Sequence, residues 1–152
     1  MIFLHLLLGL LLGKFFGHTS LFIFASIIPD IDHVWVILKN RLFTKKKLFD
    51  ALAHEERYHI RFKTPLMHSL LGLVLCSAFF FLFVKDASLL LIFLLMYLSH
   101  LLLDWPDIDK KQYLYPFSKK EFSGFLPVWS RTEQIMTLLS LIALFFLFLY
   151  NF

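Results

Sequence analysis

Apolar residues run along this chain in long blocks separated by short polar stretches, and the block lengths predict its elements. Two blocks can cross a bilayer: Pro65 to Val84 and Ala87 to Leu103, the second slightly short of the ~20 residues a typical hydrocarbon core needs. The charged pair Lys85-Asp86 lies between them, so they are expected to form a hairpin whose tip emerges into water. A third block, Ile135 to Phe152, is interrupted only by Thr137 and Ser140 and is expected to span as well. Near the start, Ile2 to Leu12 and Leu21 to Ile28 are apolar but too short to cross alone at about 1.5 Å per residue. They flank GKFFGHTS, a glycine-bounded and partly polar turn, which predicts a short, re-entrant helical hairpin. The expected fold is all-α: a small integral membrane helical bundle of about four to five apolar helices, forming one domain over residues 1–152.

Composition turns that pattern into a class. The chain is 59% hydrophobic, holds 20 phenylalanines and has a mean hydropathy of +0.75, above the range of soluble domains. Much of this surface is therefore meant for lipid, and the polar residues become the informative ones. A secretory signal peptide would place a basic residue ahead of its apolar run, whereas Lys14 follows the first apolar run, so the segment is read as part of the bundle. The single cysteine, Cys76, excludes an intramolecular disulfide and reads as a small buried hydrophobe.

Charge then orients the bundle. The connection Lys39 to Lys63 carries eight Lys and Arg, and Trp105 to Arg131 carries five. The 85–86 hairpin tip puts both on one side, and the positive-inside rule makes that side cytoplasmic, facing anionic headgroups. A net charge of +4 is explained by these topogenic residues, so nucleic acid is not an expected partner.

In that topology a set of ionisable groups gathers at one membrane face. His5 starts the first segment; Asp30, Asp32 and His33 follow the second in IIPDIDHVW; His68 opens the third; His100 and Asp104 close the fourth; Glu133 precedes the last. In HLLLD, His100 and Asp104 stand at i and i+4, stacked on one helical face, a spacing suited to two ligands of one metal. Singly, each group has a plainer reading as a helix cap or headgroup-level polar residue. Together, buried Asp and His at the edge of apolar helices point to a functional interior. Nitrogen and carboxylate donors without thiolates suit zinc, with manganese or iron as alternatives. Such a donor set usually leaves a position open for water and so implies hydrolysis, with a spare carboxylate such as Asp32 taking a proton and His33 orienting or protonating the leaving group.

The segment Met1 to Phe16 with His5, then PDIDH (Pro29 to His33), RFKTPLMHSLLG (Arg61 to Gly72), HLLLD (His100 to Asp104) and YPFS (Tyr115 to Ser118), resembles the YdjM-like family of membrane-bound, predicted metal-dependent hydrolases. The resemblance covers most of the chain and implies a bacterial or archaeal inner (cytoplasmic) membrane protein. The ordered pattern is also similar to that of zinc-dependent phospholipase C and the single-strand nucleases of its superfamily, which are all-helical. That likeness implies one ion held by Asp30 or Asp32 with His68, His100 and Asp104, and another held in part by His5 with a bridging Asp104. Thr64 is separated from His68 by Pro-Leu-Met, and the phospholipase's last His and Glu ligands have no equivalents, so a full three-zinc cluster is not expected.

Other signals carry less. HEERYH (His54 to His59) spaces its histidines five apart rather than the four a zinc-protease helix needs, so it reads as a solvated basic loop helix that can at most approach the site from above. WPDIDKK (Trp105 to Lys111) repeats PDID, and Asp107 and Asp109 read first as solvated charges of a helix-stopping turn, with the alternative that, lying just beyond Asp104, they reach the same metal. Trp105, Tyr113, Tyr115, Phe117 and Trp129 read as interfacial belt residues, and His18 points to the opposite end. The expectation is an integral membrane hydrolase acting on a phosphoester or other ester of a lipid or membrane-near substrate. The alternative is a non-catalytic scaffold or a metal- or proton-handling protein whose His/Asp cluster is structural. Ionisable groups at one rim, rather than mid-span, favour the first.

Overall fold

A computed structural model describes residues 2–127 and 130–150. The described residues are helical apart from loops and two isolated bridges: α1 (Ile2–Phe16), α2 (Thr19–Ile27), a 3₁₀ turn (Ile28–Asp30), α3 (Ile31–Lys39), α4 (Lys45–Ala53), α5 (Glu55–Tyr58), α6 (Leu70–Val84), α7 (Ala87–Asp104) and α8 (Arg131–Tyr150). The fold is the expected all-α membrane bundle. Of the residues named above, Met1, Trp129 and the last two of the Ile135 to Phe152 block lie outside the described residues.

Block lengths and helix lengths differ in two places. α2, the 3₁₀ turn and α3 run on as one apolar stretch, Thr19–Lys39, of 21 residues, long enough to cross a membrane, as are Ala87–Asp104 and Arg131–Tyr150. The expected spanning block Pro65 to Val84 yields a helix of only 15 residues, α6, because its first part is a turn. The Ser69 hydroxyl caps α6 by accepting from Gly72 N at 3.2 Å, and the Tyr97 hydroxyl donates to the Met67 carbonyl at 2.6 Å. A side chain on Gly72 would strike the Leu66 carbonyl, so the turn can lie this close only above a glycine.

The N-terminal hairpin forms with a tighter turn than the polar stretch suggests. Gly17 and His18, with φ of 82° and 55°, reverse the chain by themselves. α1 then packs face to face on α2 because Gly9 and Gly13, four residues apart, leave bare backbone there: a Cβ on Gly9 would meet the Ser26 hydroxyl and the Phe22 carbonyl, and one on Gly13 the Thr19 backbone. This close approach fixes His5 opposite the end of α2.

The core sits between α2 and α7, where Phe22, Ala25, Phe93, Met96, Tyr97 and Leu101 are buried and Phe80 of α6 stacks on Phe93 with ring centroids 4.7 Å apart. The α6–α7 hairpin tip has Lys85 in the left-handed region as the α6 cap, and Asp86 accepts from Ser88 N and Leu89 N at 2.8 and 3.0 Å. A second, smaller cluster of Val36, Leu42, Ala51, Ile60 and Phe62 folds the 40–63 connection onto α3. The 105–127 connection is tied to itself by the Asp107–Leu126 and Lys111–Phe122 bridges, and Tyr113 joins it to the bundle through its hydroxyl on the Leu101 carbonyl at 3.2 Å. α8 lies mostly bare, with Phe145, Phe146 and Phe148 exposed like Phe79 and Phe83 of α6, as lipid-facing residues should be.

Candidate metal centre

The start of α1, the α2–α3 junction, the turn before α6 and the end of α7 meet at one end of the bundle. They bring together His5, Asp30, Asp32, His33, His68, His100 and Asp104, of which all but His33 are buried. The 3₁₀ turn, begun by Pro29 in its first positions, aims Asp30 inward, and the first turn of α3 then adds Asp32 and His33 beside it.

Four of these side chains form a ring. His68 Nε2 lies 3.5 Å from Asp30 Oδ1 and 3.5 Å from Asp104 Oδ2, while His100 Nε2 lies 3.6 and 3.7 Å from the same two oxygens. Tetrahedral ligands at zinc's bond lengths of about 2.0–2.1 Å would stand about 3.4 Å apart, so the four edges fit one small cation with little adjustment. Donor atoms of His68, His100 and Asp104, and separately of His5, Asp30 and His100, lie within 4.8 Å of one another.

The hydrogen bonds around the ring distinguish the residues. Each ring histidine has its outer nitrogen held: His68 Nδ1 by Asp32 Oδ2 at 3.2 Å, and His100 Nδ1 by the Ser26 carbonyl at 2.7 Å. Both inner nitrogens, with Asp104 Oδ2 and Asp30 Oδ2, are buried without a hydrogen-bond partner. Leaving such an atom unmet costs about 1–3 kcal/mol. The two inner nitrogens, on ring edges with Asp30 Oδ1 and Asp104 Oδ2, therefore fit a bound cation, and carboxylate- or carbonyl-held imidazoles are the usual support of metal ligands.

His5 is arranged the other way round. Its Nε2 donates to Asp104 Oδ1 at 3.0 Å, its Nδ1 is the atom without a partner, and its ring stacks on His100 at 3.7 Å between centroids. Asp32 is fully used by protein: Oδ2 also accepts from Thr64 N at 2.7 Å, and Oδ1 takes His33 Nδ1 at 2.8 Å. His33, partly exposed at the rim, lies 3.5 Å from Asp30 Oδ1 as well.

Asp107, read as a solvated turn charge, and Lys63, read as a topogenic charge, are part of the buried cluster. Asp107 is only 1% exposed, and Lys63, counted among the topogenic lysines, is 7% exposed. The Lys63 ammonium lies 2.7 Å from Asp107 Oδ2, 3.0 Å from Asp104 Oδ2 and 3.6 Å from Asp109 Oδ2. The turn after α7 is not free in water because its carboxylates are drawn in by that ammonium. Burial by itself would lower the Lys63 pKa, but Asp104, Asp107 and Asp109 outweigh it and hold the amine well above the usual lysine range. Burial raises Asp109, and its carboxylate neighbours add to the rise. Lys111, also buried, donates to the Asp107 carbonyl at 2.7 Å, and burial followed by the Lys63 charge pulls it down to about 8. The sequence sign of this cluster was the second PDID, whose acidic pair needs a counter-ion once buried.

His54, Glu55 and His59 stay outside the ring and line, with Arg57, Arg61 and Asp109, an open cleft of about 1270 Å³ on the same end of the molecule. His18 lies in the α1–α2 turn at the opposite end, and Glu133 is buried in the first turn of α8.

The model of the YdjM inner membrane proteins matches residues 1–152. The chain belongs to the YdjM inner membrane protein family. No curated protein and no solved structure matches it. In this YdjM-family chain the apolar helices agree with the membrane location in the family's description.

Proposed function

We propose that this YdjM-family protein is a metal-dependent hydrolase of the cytoplasmic membrane, its centre and basic loops facing the cytoplasm. In this reading His68, His100, Asp30 and Asp104 hold one divalent ion, zinc or alternatively manganese or iron. The observation that carries it is the convergence of the two unpartnered inner nitrogens on Asp30 Oδ1 and Asp104 Oδ2 along edges of 3.5 to 3.7 Å, with both outer nitrogens already held. When bound, such an ion supplies activation of water and Lewis acidity toward an ester oxygen.

The chain's own residues do the rest. Asp32 fixes the tautomer of His68 through Nδ1 and, by its other oxygen, orients His33. His33 is the ring's exposed neighbour, so it is the group that exchanges protons with solvent and delivers one to a leaving oxygen. His5 steadies Asp104 through Oδ1. The apolar helices around this end support a centre beside lipid, acting on a phosphoester or other ester of a lipid or membrane-near substrate.

A second reading is favoured by the His5–Asp104 and Lys63–Asp104 contacts: buried pairs that only join helices. Metal content separates the two. Detergent-purified protein, handled without chelators and also after reloading, is measured by mass spectrometry beside His100→Ala and Asp104→Ala, followed by phosphodiesterase and phospholipase assays. Stoichiometric metal lost in both variants, with hydrolysis by the native protein alone, supports the hydrolase. Native protein without metal leaves the structural pairs.

A further inference from the structure

Asp104 meets positive or hydrogen-donating groups at both oxygens. Oδ1 takes the His5 Nε2 hydrogen, and Oδ2, which faces the ring, also lies 3.0 Å from the Lys63 ammonium. That ammonium makes its hydrogen bond to Asp107 Oδ2 at 2.7 Å and an ion pair with Asp104 Oδ2, the oxygen that also faces the ring. Asp109 Oδ2, 3.6 Å away, closes the cage on the third side.

Three converging carboxylates, one of them the candidate metal ligand Asp104, with Asp107 Oδ1 buried and unpartnered, are an oxygen-rich set of the kind that hard divalent cations take. Here a side chain fills that space. Lys63 reaches it from the 40–63 connection, with its neighbour Phe62 buried in the small core on α3 and Thr64 N bonded to Asp32, so the backbone on both sides is fixed. The other oxygen of Asp104 takes the His5 Nε2 hydrogen, so a side chain of this protein occupies that side of the carboxylate too.

We propose that Lys63 is the built-in second cation of this centre: Asp104 bridges one divalent ion and the Lys63 ammonium, and each chain binds a single ion. This rests on the ring's being a metal site. A lysine in that position keeps a positive charge beside the ion whatever the metal supply, and it pins the Asp104–Asp109 turn to the turn before α6.

The test is the number of ions per chain. Full-length protein in detergent is stripped, reloaded with manganese, freed of loosely held ion and measured by mass spectrometry, with electron paramagnetic resonance to detect coupled ion pairs. Native protein and Lys63→Arg are expected to hold one ion with an uncoupled signal, and Lys63→Ala to take up a second with a coupled one. Two ions in the native protein, or one in well-folded Lys63→Ala, would overturn the proposal while leaving the ring as a metal site. Native protein without any ion would overturn the ring and this proposal together. Should Lys63→Ala fail to fold, the counts for the native protein and Lys63→Arg still decide it.

Discussion

Asp32 Oδ2 lies 3.2 Å from His68 Nδ1 and turns the other nitrogen of that imidazole into the ring. The carboxylate is thereby a support whose loss should weaken metal binding without removing a ring atom. Asp32→Asn should lower affinity for zinc by about 10–100-fold. His68→Ala should abolish stoichiometric retention. Competition against a chelator of known affinity measures both, and equal affinity in Asp32→Asn and native protein would rule out the supporting role.

The α1–α2 contact depends on Gly9 as much as the ring depends on its ligands. Gly9→Val puts a branched side chain against the Ser26 hydroxyl and Phe22 carbonyl. The forced separation should cost about 1–3 kcal/mol. It should also draw His5 off Asp104. A lower melting temperature in detergent, followed by tryptophan fluorescence, is the expected outcome; an unchanged one would mean that the helices are not this close.

Lys111 gives the protein a pH dependence with a definite sign. Its folded pKa is pulled to about 8 from the ordinary 10.5, so between these values the unfolded chain binds the proton that the folded chain has released. Stability contributed by this group therefore rises as pH increases from about 8 toward 10.5, and is absent below that window. Urea denaturation across that range should show the rise in the native protein and a flatter profile in Lys111→Met, which keeps most of the buried stem. Matching slopes in the two proteins would exclude Lys111 as the source.

Tyr97 tests the turn that presents His68. Tyr97→Phe removes the hydroxyl from the Met67 carbonyl and should cost about 0.5–1.5 kcal/mol. Metal affinity should fall with it, because the residue freed is the neighbour of a ring histidine. Full affinity at lowered stability would separate the turn's packing from the site.

The residues of the ring were legible because each stands where an apolar block begins or ends, and block order alone assigns such ends to one face. HLLLD was the clearest case, since i and i+4 share a helical face whatever surrounds them. Distances between blocks were not legible. Asp32 could not be told from Asp30 as a ring residue, because that depends on the 3₁₀ turn bringing Asp30 in and on Thr64 N engaging Asp32. Lys63 was counted with the topogenic charges because nothing in its local sequence reports the three aspartates that meet it from the end of α7 and the turn after it. The turn at 65–69 was hidden by its own apolar residues, which extend a hydrophobic block without extending the helix.

α1 and α6 each have 15 residues. At helical rise that is about 22 Å, against about 30 Å of hydrocarbon in a typical bilayer. A bilayer around this side of the bundle must thin, or the candidate centre at one end of these helices must sit below the headgroup plane. On the proposed reading, the ring would then lie near the depth of the linkages between lipid headgroups and acyl chains. A lipid could then meet the centre by sideways diffusion within its own leaflet, while a water-soluble ester would have to descend to it.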